Sequence, residues 1–172
     1  MSPSLMHEHV ATLLARMVAA WTEEKNIDVK GCGTMTFQRQ DLERGLEPDQ
    51  CFYIQNEALV RSHETLDLRR DPPPDLVIEV DLASPSRRRL PLYESLGVPE
   101  VWVWRSETLT IPALNAEGAY ATRNESTVLP EFSFAVAAGL LAQRQELSDT
   151  QLIRRFRAAI RGGKRKSSKN RK

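Results

Sequence analysis

Apolar residues recur at helical spacing near the beginning of the chain. The stripe consists of Met6, Val10, Leu13, Leu14, Met17, Val18 and Trp21. Steps of three and four residues put these side chains on one face, so the pattern predicts an amphipathic helix with Ser4 as its N-cap. Glu8 and the histidines His7 and His9 lie in or next to the first turn and are interpreted as solvated. A supporting role for Glu8 at a metal site is the less favoured alternative.

Two short β-rich segments follow this helix. Thr34–Phe37 comes after the Gly31-Cys32-Gly33 break, and Cys51–Ile54 comes after a polar stretch. Aromatic and β-branched residues favour strands, so both segments are predicted to be strands, joined by a loop at Gln38–Gly45. Residues 55–74 are mostly polar and end in three prolines, which predicts an extended entry to the next element.

The segment from Pro74 to Asp81 is predicted to be the central strand. Its alternating side chains form two faces. The apolar face consists of Leu76, Ile78 and Val80, and the mixed face of Asp75, Val77, Glu79 and Asp81. A strand buried on both faces is normally almost wholly apolar, and an unpaired buried carboxylate is costly. These acids therefore predict a compensating partner, for which a metal ion is the simplest candidate.

The second half of the chain continues this alternation of elements. The predicted elements are a helix over Pro91–Leu96 stopped by Gly97, a strand over Val98–Trp104, a hairpin around Asn115–Gly118, and a helical piece beginning at Gly139. A last helix begins at Ser148-Asp149, carries the stripe Leu152, Ile153, Phe156 and Ile160, and ends at Gly162-Gly163. This order predicts an α/β fold with a mixed central sheet flanked by helices.

Composition narrows the class of protein. The 172 residues are 41% hydrophobic and 27% charged, which is typical of one globular domain. No apolar run reaches the ~18 residues of a membrane span. The first residues lack the pattern of a secretion signal, so a cytoplasmic protein is expected. Cys32 and Cys51 form no metal-ligand pattern; they could meet across a hairpin, but reduced structural thiols are the favoured interpretation.

Charge is distributed unevenly along the chain. The last twelve residues hold seven Lys or Arg and no acid, which leaves the rest with a net charge of −6. We therefore expect a domain at 1–147, a C-terminal helix at 148–161 and a basic disordered tail at 162–172. Such a tail can contact nucleic acid nonspecifically, although a solubilising end without a partner is nearly as well supported.

Three acids are expected to meet at one end of the sheet. If the second and third strands pair in antiparallel fashion, Asp49 lies beside Glu79 and Asp81. Such a carboxylate cluster suits Mg²⁺ or Mn²⁺. Asp49 can also be interpreted as a turn residue, and Asp81 equally well as a salt-bridge partner of Arg89. Asp75 is interpreted as a cap of the turn that enters the strand.

The order of these acids resembles a known pattern. Pro48-Asp49, followed on the next strand by Glu79-Val80-Asp81, resembles the PD-(D/E)XK phosphodiesterase superfamily, and more specifically the Uma-type restriction endonuclease family. The segments that carry the resemblance are Gly45–Ile54, Pro74–Ser86, and Tyr93 with Gly97–Trp102. The resemblance extends from the first helix to about Leu147. It implies a restriction-endonuclease-like fold, DNA as the partner, and a homodimer as a further possibility.

Residue by residue, the resemblance makes Asp49 and Glu79 the metal-binding acids; Asp81 is a candidate third ligand from its place in the acid cluster, not from the resemblance. The superfamily lysine normally stands two residues after the glutamate, where this chain has Asp81. In the family a lysine is often found four residues before Tyr93, where this chain has Arg89. Arg89 is expected to stabilise phosphate, but arginine is always protonated and cannot act as a general base.

The other polar and aromatic candidates have structural interpretations. Ser84 and Ser86 are expected to shape a turn, Arg87 and Arg88 to be solvated, His63 to lie on a loop surface, and Tyr93, Trp102 and Trp104 to lie in the core. The favoured function is a Mg²⁺-dependent endonuclease that hydrolyses DNA phosphodiester bonds. The alternatives are a catalytically degenerate protein that binds DNA or a protein partner without cutting, and a hydrolase of another phosphodiester such as RNA.

Overall fold

The computed structural model describes residues 4–37, 46–82 and 89–169, with the backbone alone at 163–169. The helices are α1 (Leu5–Lys25), α2 (Glu57–Val60), α3 (Leu90–Leu96), α4 (Phe134–Leu141) and α5 (Asp149–Lys169). The strands are β1 (Lys30–Gly31), β2 (Gln50–Tyr53), β3 (Leu76–Asp81), β4 (Glu100–Arg105), β5 (Thr108–Leu114) and β6 (Tyr120–Arg123). The predicted loop at Gln38–Gly45 and the side chains of Ser84, Ser86, Arg87 and Arg88 lie outside the described residues.

The strands form one mixed sheet in the order in which they occur along the chain. β3 and β4 are parallel, and each other neighbouring pair is antiparallel. The parallel pair needs a crossover, which α3 supplies. This arrangement confirms the predicted α/β class and the antiparallel pairing of the strands that follow Asp49 and Pro74.

Helices cover both faces of the sheet. α1, α4 and α5 pack on the face that carries Leu76, Ile78 and Val80 of β3. α3 packs on the opposite face through Tyr93, against Val77 and its neighbours. The acids of β3 lie on this second face because its side chains alternate. Trp102 and Trp104 are buried, as the sequence predicted.

Capping residues set several element boundaries as predicted. The Ser4 side chain accepts a hydrogen bond from the His7 N–H and begins α1. Gly97 takes a left-handed conformation, φ 75°, and ends α3. Ser148 and Gln151 exchange backbone-to-side-chain hydrogen bonds and begin α5.

Other boundaries differ from the prediction. The predicted strand at Thr34–Phe37 is absent apart from one bridge between Phe37 and Leu46, and the edge strand β1 lies earlier. α4 begins at Phe134 rather than Gly139. α5 does not end at Gly162-Gly163 but continues to Lys169, because Gly162 does not adopt the left-handed conformation that stops a helix.

Two buried acids serve the fold rather than the site. The Asp75 carboxylate accepts hydrogen bonds from the backbone N–H groups of Ile54 and Asn56 and from the Asn56 side chain, so it caps the turn after β2. Glu100 accepts four hydrogen bonds from Trp102, Ser126 and Thr127. In the described part of the chain, no helix is long and apolar enough to cross a membrane.

Candidate active site

Asp49 and Glu79 lie across from each other at one end of the sheet. The register pairs Gln50 with Ile78, and one further residue brings Asp49 opposite Glu79. The Asp49 Oδ2 atom accepts a hydrogen bond of 2.7 Å from the Val80 N–H, which fixes its carboxylate against β3. The structure therefore brings together the two acids that the sequence singled out.

Glu79 is fully buried, and each of its oxygens faces a different partner. The Tyr93 hydroxyl donates a hydrogen bond to Oε1. The Arg89 Nη2 atom lies 2.7 Å from Oε2, but its N–H is not aligned for a hydrogen bond, and no other described residue donates one to this oxygen. The carboxylate is thus held by a neutral donor on one side and by a cation on the other.

Burial dominates the protonation of this acid pair. It raises the pKa of Glu79 to about 8, against the lowering effects of the Arg89 charge and the Tyr93 hydrogen bond. The negative charges of Asp49 and Asp81 raise that pKa further. Burial also raises the pKa of Asp49, although the Val80 N–H and the charges of His7 and Arg89 oppose the shift.

Arg89 and Asp81 complete this end of the sheet. Arg89 immediately precedes α3 and is about one-third exposed, so its guanidinium touches both Glu79 and solvent. Asp81 was expected to be either a third metal ligand or the salt-bridge partner of Arg89; among the described residues, Arg89 forms its ion pair with Glu79. Asp81 is the last residue of β3 and is buried on the same face as Glu79.

His7 belongs to this site, although the sequence analysis interpreted it as a solvated residue. Its Nε2 atom lies 3.1 Å from Asp49 Oδ2, and its Nδ1 atom lies 3.2 Å from Glu8 Oε1. Only 17% of the His7 side chain is exposed. The sequence contained a sign of this burial, because His7 lies four residues before Ala11 and seven before Leu14, on the buried face of the helix. His9 lies elsewhere, 2.7 Å from Asp149 at the start of α5.

Tyr93 was predicted to be a core residue, and it is fully buried. Its hydroxyl was not predicted to touch Glu79, because that contact depends on how α3 crosses the sheet. Burial and the neighbouring Glu79 carboxylate raise the pKa of Tyr93, so the phenol remains a hydrogen-bond donor. Tyr93 is therefore part of the site as well as part of the core.

The donor set matches a hard divalent cation in chemistry. Neighbouring carboxylates offer the oxygen ligands that such a cation prefers. Among them, Glu79 Oε2 has no aligned hydrogen-bond donor. Within residues 4–37, 46–82 and 89–169, however, no three His, Cys, Asp or Glu side chains are already grouped as a metal-binding set. Arg89 occupies the side of Glu79 on which the uncommitted oxygen lies.

The mixed sheet with its acids at one end defines a nuclease-like α/β fold. A solved structure from Anabaena variabilis, described as a "putative nuclease belonging to DUF820", matches 91% of this chain and 84% of its own length with a TM-score of 0.54 at 14% identity. Residues 1–138 match the model of the Uma2 family, whose description is "Putative restriction endonuclease". The chain belongs to this family. No curated protein matches the chain.

Proposed function

We propose that this protein is a divalent-cation-dependent endonuclease that hydrolyses DNA phosphodiester bonds. The observation that supports it most directly is the Asp49–Glu79 pair, in which a fully buried carboxylate faces a second acid across two hydrogen-bonded strands. Restriction-endonuclease-like families generally use divalent metal ions. A function that uses these acids explains why Glu79 and Asp81 occupy positions where burying a carboxylate is costly.

In this proposal Asp49 and Glu79 hold Mg²⁺ or Mn²⁺, and Asp81 assists them. The cation, when bound, polarises the phosphoryl oxygen and lowers the pKa of a coordinated water. Tyr93 fixes the rotamer of Glu79 through Oε1, so Oε2 becomes free for a cation once the Arg89 guanidinium moves away from it. His7 holds the Asp49 carboxylate through Oδ2, the oxygen that also accepts the Val80 N–H.

Arg89 has a separate role in the proposal. Its guanidinium can pass from Glu79 to a DNA phosphate, because it already reaches solvent and pairs with oxyanions in a forked geometry. It offsets the charge that develops on the phosphate during attack. It does not take a proton, since arginine stays protonated.

Cleavage of supercoiled plasmid with Mg²⁺ or Mn²⁺ tests the proposal. We expect the wild type to nick or linearise the plasmid, and Asp49→Asn and Glu79→Gln each to slow this by at least about 100-fold. Glu117→Gln is the matched control, because Glu117 is an exposed acid in the hairpin between β5 and β6. Full activity in the Glu79→Gln protein would overturn the site assignment.

A second candidate function is binding without cleavage. The observation that favours it is the Arg89–Glu79 ion pair of 2.7 Å, in which a permanent cation stands beside the acid that would bind metal. Arg89→Lys separates the two candidates. If Arg89 stands in place of a catalytic lysine, Arg89→Lys should increase the rate of DNA cleavage. A protein that only binds DNA should remain inactive and keep its affinity for DNA.

A further inference from the structure

Cys32 and Cys51 are direct neighbours on adjacent chain segments. The antiparallel register of β1 and β2 pairs Lys30 with Tyr53 and Gly31 with Phe52, so the next residues in line are Cys32 and Cys51. The Cys32 N–H donates a hydrogen bond of 2.9 Å to the Cys51 carbonyl, which continues the ladder by one residue. Side chains opposite each other in such a ladder lie on the same face of the sheet.

The backbone geometry of this pair suits a disulfide. Opposed residues in a hydrogen-bonded antiparallel pair have Cα atoms about 5.5 Å apart. Disulfides usually span about 4.4–6.8 Å between Cα atoms. β1 is the edge strand of the sheet and has two residues, so the small approach that bond formation needs does not disturb a second neighbouring strand.

The two thiols are unequal in their surroundings. Both cysteines are free; Cys51 is fully buried against Val77, whereas Cys32 is only partly buried. The Cys51 Sγ atom donates a hydrogen bond of 3.4 Å to the Gly33 carbonyl, next to Cys32 in the chain. The neighbouring Cys51 thiol and the charge of Lys30 lower the pKa of the Cys32 thiol to about 7. Cys32 is therefore the accessible, nucleophilic member, and Cys51 is its immediate partner.

We propose that Cys32 and Cys51 form a reversible disulfide when the protein meets hydrogen peroxide. The Cys32 thiolate attacks the peroxide oxygen, the O–O bond breaks, and Cys32 becomes a sulfenic acid with release of water. The Cys51 sulfur then attacks the Cys32 sulfur and gives up its proton as a second water leaves. Two thiols are oxidised and one peroxide is reduced to two waters, so the step balances.

The bridge would fasten a segment that leads into the candidate active site. Residues 33–50 lie between the two cysteines, and Asp49 is near the end of this segment. A disulfide that closes such a loop restricts the unfolded chain. The melting temperature of the oxidised protein is therefore expected to rise by about 5–10 °C, and to return on reduction with a thiol.

Intact-mass analysis after treatment of the folded protein with hydrogen peroxide tests the proposal. We expect the wild type to lose two hydrogens, with one peptide pair joined through Cys32 and Cys51. The Cys51→Ala protein should trap a sulfenic acid at Cys32, and the Cys32→Ser protein should react slowly and form no internal bridge. Circular dichroism establishes that both variants fold; Cys32→Ser, at the partly buried position, remains informative if Cys51→Ala does not.

The opposite results would overturn the proposal. They are a wild type whose two thiols stay reduced at peroxide concentrations that oxidise Cys32 in the Cys51→Ala protein, direct progress of Cys32 to sulfinic acid, or a bridge that joins two chains. The same treatment in denaturant is the control, because loss of the strand register should remove the preference for the internal bridge.

Discussion

Glu79 concentrates the chemistry of the site in one side chain. Its carboxylate is fully buried, and burial outweighs both Arg89 and Tyr93 in setting its pKa. A residue chosen only for packing would be apolar at this place in β3, as Val77 is two residues earlier. Burying the Glu79 carboxylate therefore lowers the stability of the fold, and a ligand that binds this carboxylate would offset that loss.

The raised pKa of Glu79 predicts how stability changes with pH. The folded protein holds the Glu79 proton up to about pH 8, whereas the unfolded chain releases it near 4.5. The free energy of unfolding therefore decreases as pH rises through this window, and Glu79→Gln removes the decrease. Each pKa unit corresponds to about 1.4 kcal/mol, or about 3–5 °C of melting temperature.

Thermal melts of the two proteins from about pH 5 to pH 8, without added cation, check this prediction. The melting temperature of the Glu79→Gln protein should increase relative to that of the wild type as pH rises. A constant difference across the window would contradict it. In the Glu79→Gln protein the glutamine oxygen can still accept the hydrogen bond from Tyr93. If this variant is more stable than the wild type but does not cleave DNA, the loss of activity is not caused by unfolding.

The sequence predicted some residues of the site and missed others for a physical reason. Asp49 and Glu79 are brought together by strand pairing, which alternation and turn residues encode locally. His7 and Tyr93 reach the same place from α1 and α3, and the angle at which a helix crosses a sheet is set by packing over the whole face. Such contacts leave only a weak local signal, such as the spacing of His7 within the apolar stripe.

At the level of elements, β3 and β4 were predictable because each is a compact apolar run. β1 and Thr34–Phe37 were not, because an edge strand gains little from propensity and depends on its one neighbour. The end of α5 was missed because Gly162 was expected to stop the helix, whereas the segment before it is anchored by Phe156 and Ile160. Tertiary packing anchors α5 as far as Ile160, and the helix continues past Gly162 from that anchored segment.

Glu100 ties β4 to the segment that precedes α4, and it predicts a second stability effect. Its buried carboxylate accepts four hydrogen bonds from Trp102, Ser126 and Thr127, at 2.5–2.8 Å. Glu100→Gln replaces one accepting oxygen by a donor that faces other donors. We expect a loss of about 2–4 kcal/mol in the free energy of unfolding, measured by urea denaturation.

Glu117→Gln is the control for this element as well, because Glu117 is exposed in the turn between β5 and β6. Its free energy of unfolding should change by less than about 0.5 kcal/mol. Equal stability of the Glu100→Gln protein and this control would show that the buried carboxylate does not hold the two segments together.

For the whole molecule, charge is distributed unevenly between the body of the chain and its last residues. Residues 1–160 carry a net charge of −6, while the twelve residues from Arg161 onward include seven Lys or Arg and no acid. Ion pairs of Arg157 and Arg161 with Glu24 attach α5 to α1, so the start of the basic segment is held against the folded domain. An acidic body disfavours DNA unless cations or a basic segment offset the repulsion.

Removal of residues 162–172 tests whether the basic segment contributes to DNA affinity. The cut lies beyond Ile160, the last buried apolar residue, so the folded core should remain. Because each released counterion steepens the dependence of affinity on salt, the shortened protein should bind duplex DNA at least about tenfold more weakly near 0.1 M salt, with a shallower slope. Fluorescence anisotropy over a salt series, in Ca²⁺ to limit cleavage, measures both quantities.

A full-length variant with Lys164→Gln, Arg165→Gln and Lys166→Gln is the matched control. It should reproduce most of the loss of affinity if charge is the cause. Unchanged DNA affinity in both proteins would assign DNA binding to residues 1–161 alone.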